Sequence, residues 1–158
     1  SLKKNISKIK KIILKEKLCV LLLNHSDYIS EELIDYRILY NPIQILESSN
    51  ELNDYKKPVI VPKNSIFLNI LSGNENIFYF NYFLQKTQSF ESEKKNLTLF
   101  FAKCFIEKLK LKKIYLVGID GYKQKPYQNN LIRSIIEDIQ KISTVNLDFS
   151  KILNSKIQ

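Results

Sequence analysis

The sequence is poor in the residues that most often mark an enzyme site, with one histidine, two cysteines and three glycines among 158 residues. So few cysteines and histidines cannot form the ligand clusters of a typical zinc or iron site, and we predict no metal site. The glycine-rich loops that bind dinucleotides or triphosphates do not occur, and neither does the nucleophile elbow of hydrolases. We therefore predict no cofactor in this domain and assign no catalytic residue. Cys19 and Cys104 are expected to be small buried hydrophobic residues.

Methionine is absent, even from position 1, so we interpret the chain as a piece of a longer protein. No apolar run approaches the roughly 20 residues that span a bilayer, and the first residues lack the apolar core of a signal peptide. We expect no membrane span and a cytoplasmic location. A hydrophobic content of 44% in 158 residues suits one core of ordinary size, which predicts a single domain over residues 1–158.

The chain has a net charge of +9 and an isoelectric point near 9.4. Basic surfaces attract phosphate groups, so this charge is compatible with binding to nucleic acid. The excess consists mainly of lysine spread along the chain, however, and the arginine forks and glycine-rich aromatic motifs of nucleic-acid-binding domains are missing. We therefore do not expect nucleic acid as the partner, and expect a small anionic ligand instead.

Helical and strand patterns alternate along the chain. Apolar residues at helical spacing predict helices over residues 2–16, 96–110 and 132–142, and an acidic first turn predicts a short helix over 30–35. Apolar runs and alternation predict strands over 18–23, 34–42, 58–62, 77–82, 112–122 and 144–149. Residues 43–57 are polar and predict a loop with one helical turn. This order favours an α/β fold, a three-layer Rossmann-like domain with a mostly parallel sheet.

The stretch K-K-I-Y-L-V-G-I-D-G-Y, residues 112–122, predicts a buried parallel strand that stops abruptly. Ligands of open α/β sheets bind at the carboxyl ends of strands, and two of the three glycines, Gly118 and Gly121, lie here. Asp120 is the natural polar contact for a hydroxyl, ribose or amine, although it could equally cap its own loop. Tyr122 could stack on a base or sugar, or pack at the rim.

The first predicted strand ends in a second polar cluster, Asn24, His25 and Ser26. If the sheet is parallel, these residues and Asp120 lie at the same edge. His25 has no evident partner in the sequence, and a single loop histidine is more often structural than catalytic.

Arg37 is unusual because it lies inside a predicted strand, where a buried arginine needs a partner. Asp35, two residues earlier, lies on the same face of the strand. The two residues could form an ion pair, or Arg37 could contact an anionic ligand.

Three stretches occur together in an order and spacing that resemble a known family. They are L-L-L-N at 21–24, I-D-Y-R-I-L-Y-N-P at 34–42 followed by P-V-I-V-P at 58–62, and the stretch at 112–122. They resemble the C-terminal domain of proteins similar to 4-hydroxy-2-oxovalerate aldolase that occur in bacterial surface-polysaccharide gene clusters. The resemblance covers residues 18–122 and implies an accessory domain attached to an upstream aldolase-like domain, which would hold the metal and the catalytic residues.

Members of that family carry a Gly-x-Gly-Pro-Ser turn before the first helix, whereas this chain begins with Ser1, Leu2 and Lys3. The resemblance therefore implies that the first strand of the sheet and its phosphate-facing loop are absent or remodelled.

The stretch at 112–122 also resembles, more distantly, the bacterial sialyltransferases that act on lipooligosaccharide. That resemblance implies Asp120 and Tyr122 as neighbours of a nucleotide sugar and Asn24 as a nucleotide contact. Those transferases use a histidine base downstream of the motif, but no histidine follows Tyr122 here.

Three functions from different classes follow. The first is an accessory domain that binds a nucleotide, sugar nucleotide or sugar acid through Asn24, Asp120, Gly121 and Tyr122. The second is a glycosyltransferase of the sialyltransferase type. The third is a structural domain that mediates homo-oligomer contacts of the attached aldolase-like domain.

Overall fold

The computed structural model describes residues 2–24, 28–63, 65–71, 73–80, 93–94, 97–110, 113–119, 125–142 and 144–146. The chain divides into two compact units, Lys11–Gln85 and a second unit formed by Ser1–Lys10 with Lys86–Gln158. The single domain expected from the sequence stays a prediction.

The first helix, α1, covers Leu2–Glu16 and confirms the helix predicted over 2–16. Its apolar residues recur at helical spacing, and among them Ile9 is buried. The helix ends where Lys17 takes a left-handed conformation, with φ of 51°, and the Leu18 N–H donates to the Ile13 carbonyl at 3.0 Å. This hydrogen bond satisfies one of the carbonyls that the end of a helix leaves open.

A four-stranded sheet forms the centre of the unit Lys11–Gln85. Its strands are β1 (Leu21–Leu23), β2 (Tyr36–Ile38), β3 (Val59–Pro62) and β4 (Ile77–Phe80). All neighbouring pairs are parallel, and the strands lie side by side in chain order. The predicted α/β fold with a parallel sheet is therefore confirmed, and each of these strands falls inside a stretch predicted from the sequence.

The connections between these strands are short and mostly helical. A 3-10 helix, Glu31–Leu33, lies between β1 and β2 and occupies the predicted short helix. The helix α4, Ser65–Ile70, lies between β3 and β4. Between β2 and β3 lie two helices, α2 (Pro42–Glu47) and α3 (Ser49–Asn53).

The loop with one helical turn predicted over residues 43–57 is therefore wrong in its extent, since two helices cover most of the segment. Ile45 on α2 and Leu52 on α3 are almost completely buried and join the apolar core, which explains why this polar segment folds as helices. Pro42 does not close a strand but stands at the first position of α2, where its missing N–H costs nothing. The Asn41 side chain caps the helix by accepting from the Ile43 N–H at 3.0 Å.

The core of this unit lies against β3. Val59 and Val61 pack in one cluster with core residues from the strands and helices around them. The other members of the cluster are Leu39, Ile45, Leu52, Phe67, Leu71 and Ile77. Burial of a continuous apolar run on both faces is typical of an inner strand of a parallel sheet.

The second unit contains a helix, a strand, a helix and a strand in succession. These are α5 (Thr98–Leu109), β5 (Lys113–Tyr115), α6 (Pro126–Ile142) and β6 (Thr144–Asn146). β5 and β6 are parallel, with Ile114 opposite Val145. The predicted helices over 96–110 and 132–142 are confirmed, with α6 beginning earlier than expected. Among the described strands, β5 and β6 form a sheet separate from β1–β4.

The helices of this unit bury an apolar stripe each. Phe101 of α5 and Ile135 of α6 are completely buried. α5 ends at Leu109, and the next residue, Lys110, takes a left-handed conformation with φ of 51°. The cap predicted at Asn96 lies outside the described residues, and Leu97 takes the flanking position. None of the helices in the described ranges is both long and apolar enough to cross a membrane.

The two isoleucines of α2 allow a direct test of this core. Ile45 is completely buried, whereas Ile43 is 63% exposed. Because truncation of a buried side chain removes apolar contacts and leaves a cavity, Ile45→Ala is expected to lower the free energy of unfolding by about 3 kcal/mol. Ile43→Ala on the same helix is expected to change it by less than about 0.5 kcal/mol. Urea denaturation measures both, and equal effects of the two substitutions would contradict this packing.

Candidate functional site

The carboxyl ends of β1, β2 and β3 lie at one edge of their sheet because the strands are parallel neighbours. Asn24 follows β1, Asn41 follows β2 by three residues, and Lys63 follows β3. Asn24 takes a left-handed conformation, with φ of 61°, and its N–H donates to the Ile38 carbonyl at 2.8 Å. Asparagine tolerates this conformation better than most residues. The regular strand therefore ends at this residue, within the polar cluster that the sequence places after β1.

Tyr40 and Asn41, the second and third residues after β2, have structural roles at this edge of the sheet. Tyr40 is buried, and this burial raises the pKa of its hydroxyl to about 12. Asn41 is exposed but uses its side chain to cap α2. These two residues are therefore committed to the fold at this edge.

The end of β5 in the second unit has a similar turn. Leu116 is buried, and the next three residues, 117–119, are half-buried without regular structure. Gly118 has φ of 72°, in the left-handed region where a glycine has no side chain to clash. The predicted ligand contacts Asp120, Gly121 and Tyr122, like His25 and Ser26 after β1, lie outside the described residues. Their roles stay predictions.

Arg37 is described, and it is 5% exposed within β2. Its guanidinium pairs with the Glu31 carboxylate rather than with Asp35. The guanidinium carbon also lies 4.7 Å from the centre of the Tyr55 ring. The ion pair predicted with Asp35 is therefore wrong. The reason is local: the 3-10 helix brings Glu31 to the arginine, while Asp35 is exposed and accepts from the Val20 N–H at 2.7 Å.

Glu31, Arg37 and Tyr55, together with Lys57, form a network that we call the Arg37 cluster. The Tyr55 hydroxyl donates to Glu31, and burial together with this hydrogen bond raises the pKa of Tyr55 to about 12. The Lys57 ammonium donates to the carbonyls of Glu31 and Glu32 and, at 2.6 Å, to that of Ile34. A charge taken out of water needs such partners. Because Glu31 neutralises its charge, Arg37 is better explained as a structural residue than as an anion contact.

A shallow, open depression of about 380 Å³ lies at the opposite edge of this sheet, before the strands begin. Lys17, Cys19 and Asp35 contribute its polar and sulfur atoms, and the other lining residues are Leu18, Tyr36 and Pro58. Cys19 is exposed, so the expectation that it is buried is wrong. Partial desolvation and the negative charge of Asp35 raise the pKa of the Cys19 thiol, and this disfavours the reactive thiolate. Cys104 on α5 is half-buried.

A second buried charge lies in the other unit. Lys94 is 4% exposed, and its ammonium pairs with Asp138 and lies 3.0 Å from the Ser134 hydroxyl, both on α6. The hydrogen bond from Lys94 lowers the pKa of Asp138. The ion pair connects Lys94 to α6. It could not be predicted from the sequence, because the two partners lie 44 residues apart.

Within the described ranges, no group of three or more histidine, cysteine, aspartate or glutamate residues could hold a metal ion. No protein family, curated protein or solved structure matches the sequence.

The structural role of the Arg37 cluster can be tested with two neighbouring glutamates. Glu31→Gln removes the charge that balances the buried guanidinium, and is expected to lower the free energy of unfolding by about 2 kcal/mol. Glu32→Gln, the matched control, changes the net charge equally but leaves the ion pair intact, and should stay within about 0.5 kcal/mol of the wild type. Chemical denaturation at pH 7 compares them. A small effect of both substitutions would show that Arg37 does not depend on Glu31.

Proposed function

We propose that this chain binds a small anionic ligand, a nucleotide, sugar nucleotide or sugar acid, at the carboxyl ends of its parallel strands. The observation that carries the proposal is the left-handed turn at Gly118, three residues after β5 and two before Asp120. In parallel α/β sheets the loops after the strands are where ligands bind. A glycine at such a turn allows the backbone to approach a ligand closely.

The end of β1 supports the same proposal independently. Asn24 follows that strand directly and is also left-handed. Two of the strands thus end close to a left-handed residue, Asn24 or Gly118. The polar candidates His25, Ser26 and Asp120 follow these residues within two positions of the sequence. Each strand end is a candidate contact on its own.

The charge of the protein favours an anionic ligand. The net charge of +9 raises the local concentration of anions around the whole chain. Lys63, exposed directly after β3, adds a positive charge at the carboxyl edge of the larger sheet. Arg37 does not contribute, because Glu31 neutralises it.

The biological setting that we propose follows the resemblance of the motifs. The chain is then an accessory domain of an aldolase-like protein of surface-polysaccharide biosynthesis, in the cytoplasm. A glycosyltransferase of the sialyltransferase type is less well supported, since no histidine follows Tyr122 to serve as a base. A purely structural, oligomerising domain has one observation in its favour, the exposure of Ile43 and Leu46 on α2 at 63% and 48%.

A thermal-shift screen tests the binding site with its own controls. The ligands are nucleoside monophosphates, nucleoside diphosphates and sugar nucleotides, with inorganic phosphate as the reference anion. A ligand that binds only the folded state at a hundredfold excess over its dissociation constant stabilises the protein by about 2.7 kcal/mol. We expect one ligand class to raise the melting temperature of the wild type.

Three variants locate the effect. The ligand binds at one strand end, so either Asn24→Gly or Asp120→Ala is expected to reduce the shift. Asn24→Gly keeps the left-handed backbone while removing the amide. Asp54→Ala, at an exposed position after α3, should leave the shift unchanged. No shift with any ligand, or equal loss in all three variants, would contradict the proposal.

A further inference from the structure

The exposed face of α1 carries a stripe of lysines. Lys8, Lys11 and Lys15 recur at intervals of three and four residues, which places them on one side of the helix. Lys8, Lys11 and Lys15 are exposed, whereas Ile9 on the opposite side is buried. The lysine stripe therefore faces outward while the apolar face of the helix stays packed in the protein.

The stripe has no internal compensation. α1 contains six lysines and a single acidic residue, Glu16. Among the residues that the structure describes, none forms an ion pair with Lys8, Lys11 or Lys15. Like charges three and four residues apart on a helix repel each other and destabilise it. A surface of opposite charge would relieve this repulsion.

Leu14 distinguishes between the polyanions that could provide that surface. It is 66% exposed and lies on the helix beside Lys11 and Lys15. An apolar side chain next to lysines strengthens binding when it enters the boundary between lipid headgroups and acyl chains, because it leaves water. The phosphates of a nucleic acid offer no such environment. α1 also contains no arginine or aromatic residue that could bind or stack on bases.

We propose that α1 binds the surface of an anionic phospholipid membrane through Lys8, Lys11, Lys15 and Leu14. The three lysines span about 10 Å along the helix axis, so they can contact several headgroups at once. The helix lies on the membrane rather than inserting, because its isoleucine face remains in the protein. The chain is then held at the membrane surface peripherally, whether or not it binds a nucleotide.

Vesicle co-sedimentation tests this with vesicles of phosphatidylcholine alone and of phosphatidylcholine with 30% phosphatidylserine. We expect binding only to the anionic vesicles, and weaker binding as the salt concentration rises. Each lysine near an anionic surface contributes roughly fivefold in affinity, so the triple variant Lys8→Gln, Lys11→Gln and Lys15→Gln should bind about 100-fold more weakly. The single variant Leu14→Ser should bind more weakly than the wild type, and the difference should be largest at high salt, where the electrostatic attraction is screened.

The matched control removes three lysines that are exposed elsewhere, with the substitutions Lys56→Gln, Lys108→Gln and Lys110→Gln. It lowers the net charge by the same amount and is expected to retain most of the binding. Circular dichroism and melting curves confirm that both triple variants are folded. An absence of binding to anionic vesicles, or an equal loss in both triple variants, would overturn the proposal. The proposal would also be overturned if Leu14→Ser bound the vesicles like the wild type and a DNA duplex competed fully with them, since both results would favour nucleic acid as the ligand.

Discussion

The four-stranded sheet depends on β3 having a partner strand along each of its edges. Val59 and Val61 are completely buried and Ile60 is 3% exposed, so the strand cannot face water on either side. β2 and β4 provide these edges, with the Leu39 N–H donating to the Ile60 carbonyl at 3.0 Å. Because every backbone group of a buried strand must be hydrogen-bonded, the two neighbours are as necessary as the apolar contacts.

The amino ends and the carboxyl ends of the strands in this sheet have different roles. At the amino ends, the Arg37 cluster fixes the 3-10 helix, β2 and the approach to β3 to one another, through Lys57 and the ion pair of Arg37 with Glu31. Asn74 adds hydrogen bonds to the carbonyls of Leu52 and Tyr55, at 2.6 and 2.8 Å. The polar groups of these side chains are used within the fold. At the carboxyl end of β1, Asn24 instead takes a left-handed conformation, and we place the proposed ligand at such strand ends.

The elements that were predicted correctly each show a clear pattern of apolar residues within their own sequence. The run P-V-I-V-P identifies β3 because a short apolar stretch between prolines fits a buried strand, and α1, α5 and α6 repeat apolar residues over three or more turns. α2 and α3 were missed because five- and six-residue helices each bury a single side chain and show no period. Tertiary contacts with the core, rather than local preference, make them helical.

The site was predictable to a smaller degree. Position in the chain was sufficient to place Asn24 and Gly118 after strands, and the residue types agree with the left-handed turns found there. The partner of Arg37 was not predictable, because alternation along a strand favoured Asp35 and said nothing about the 3-10 helix that brings Glu31 into contact. Pairs distant in sequence, such as Lys94 with Asp138, leave no local pattern at all.

We place the ligand at the carboxyl ends of the strands, and not at their amino ends. Hydrogen–deuterium exchange with and without a saturating nucleoside diphosphate tests this most directly. We expect slower exchange in the peptide that covers residues 23–27 or in the one that covers 116–122, with unchanged exchange over 17–20 and 31–37. Slower exchange at the amino ends alone, or no change in any peptide, would contradict it.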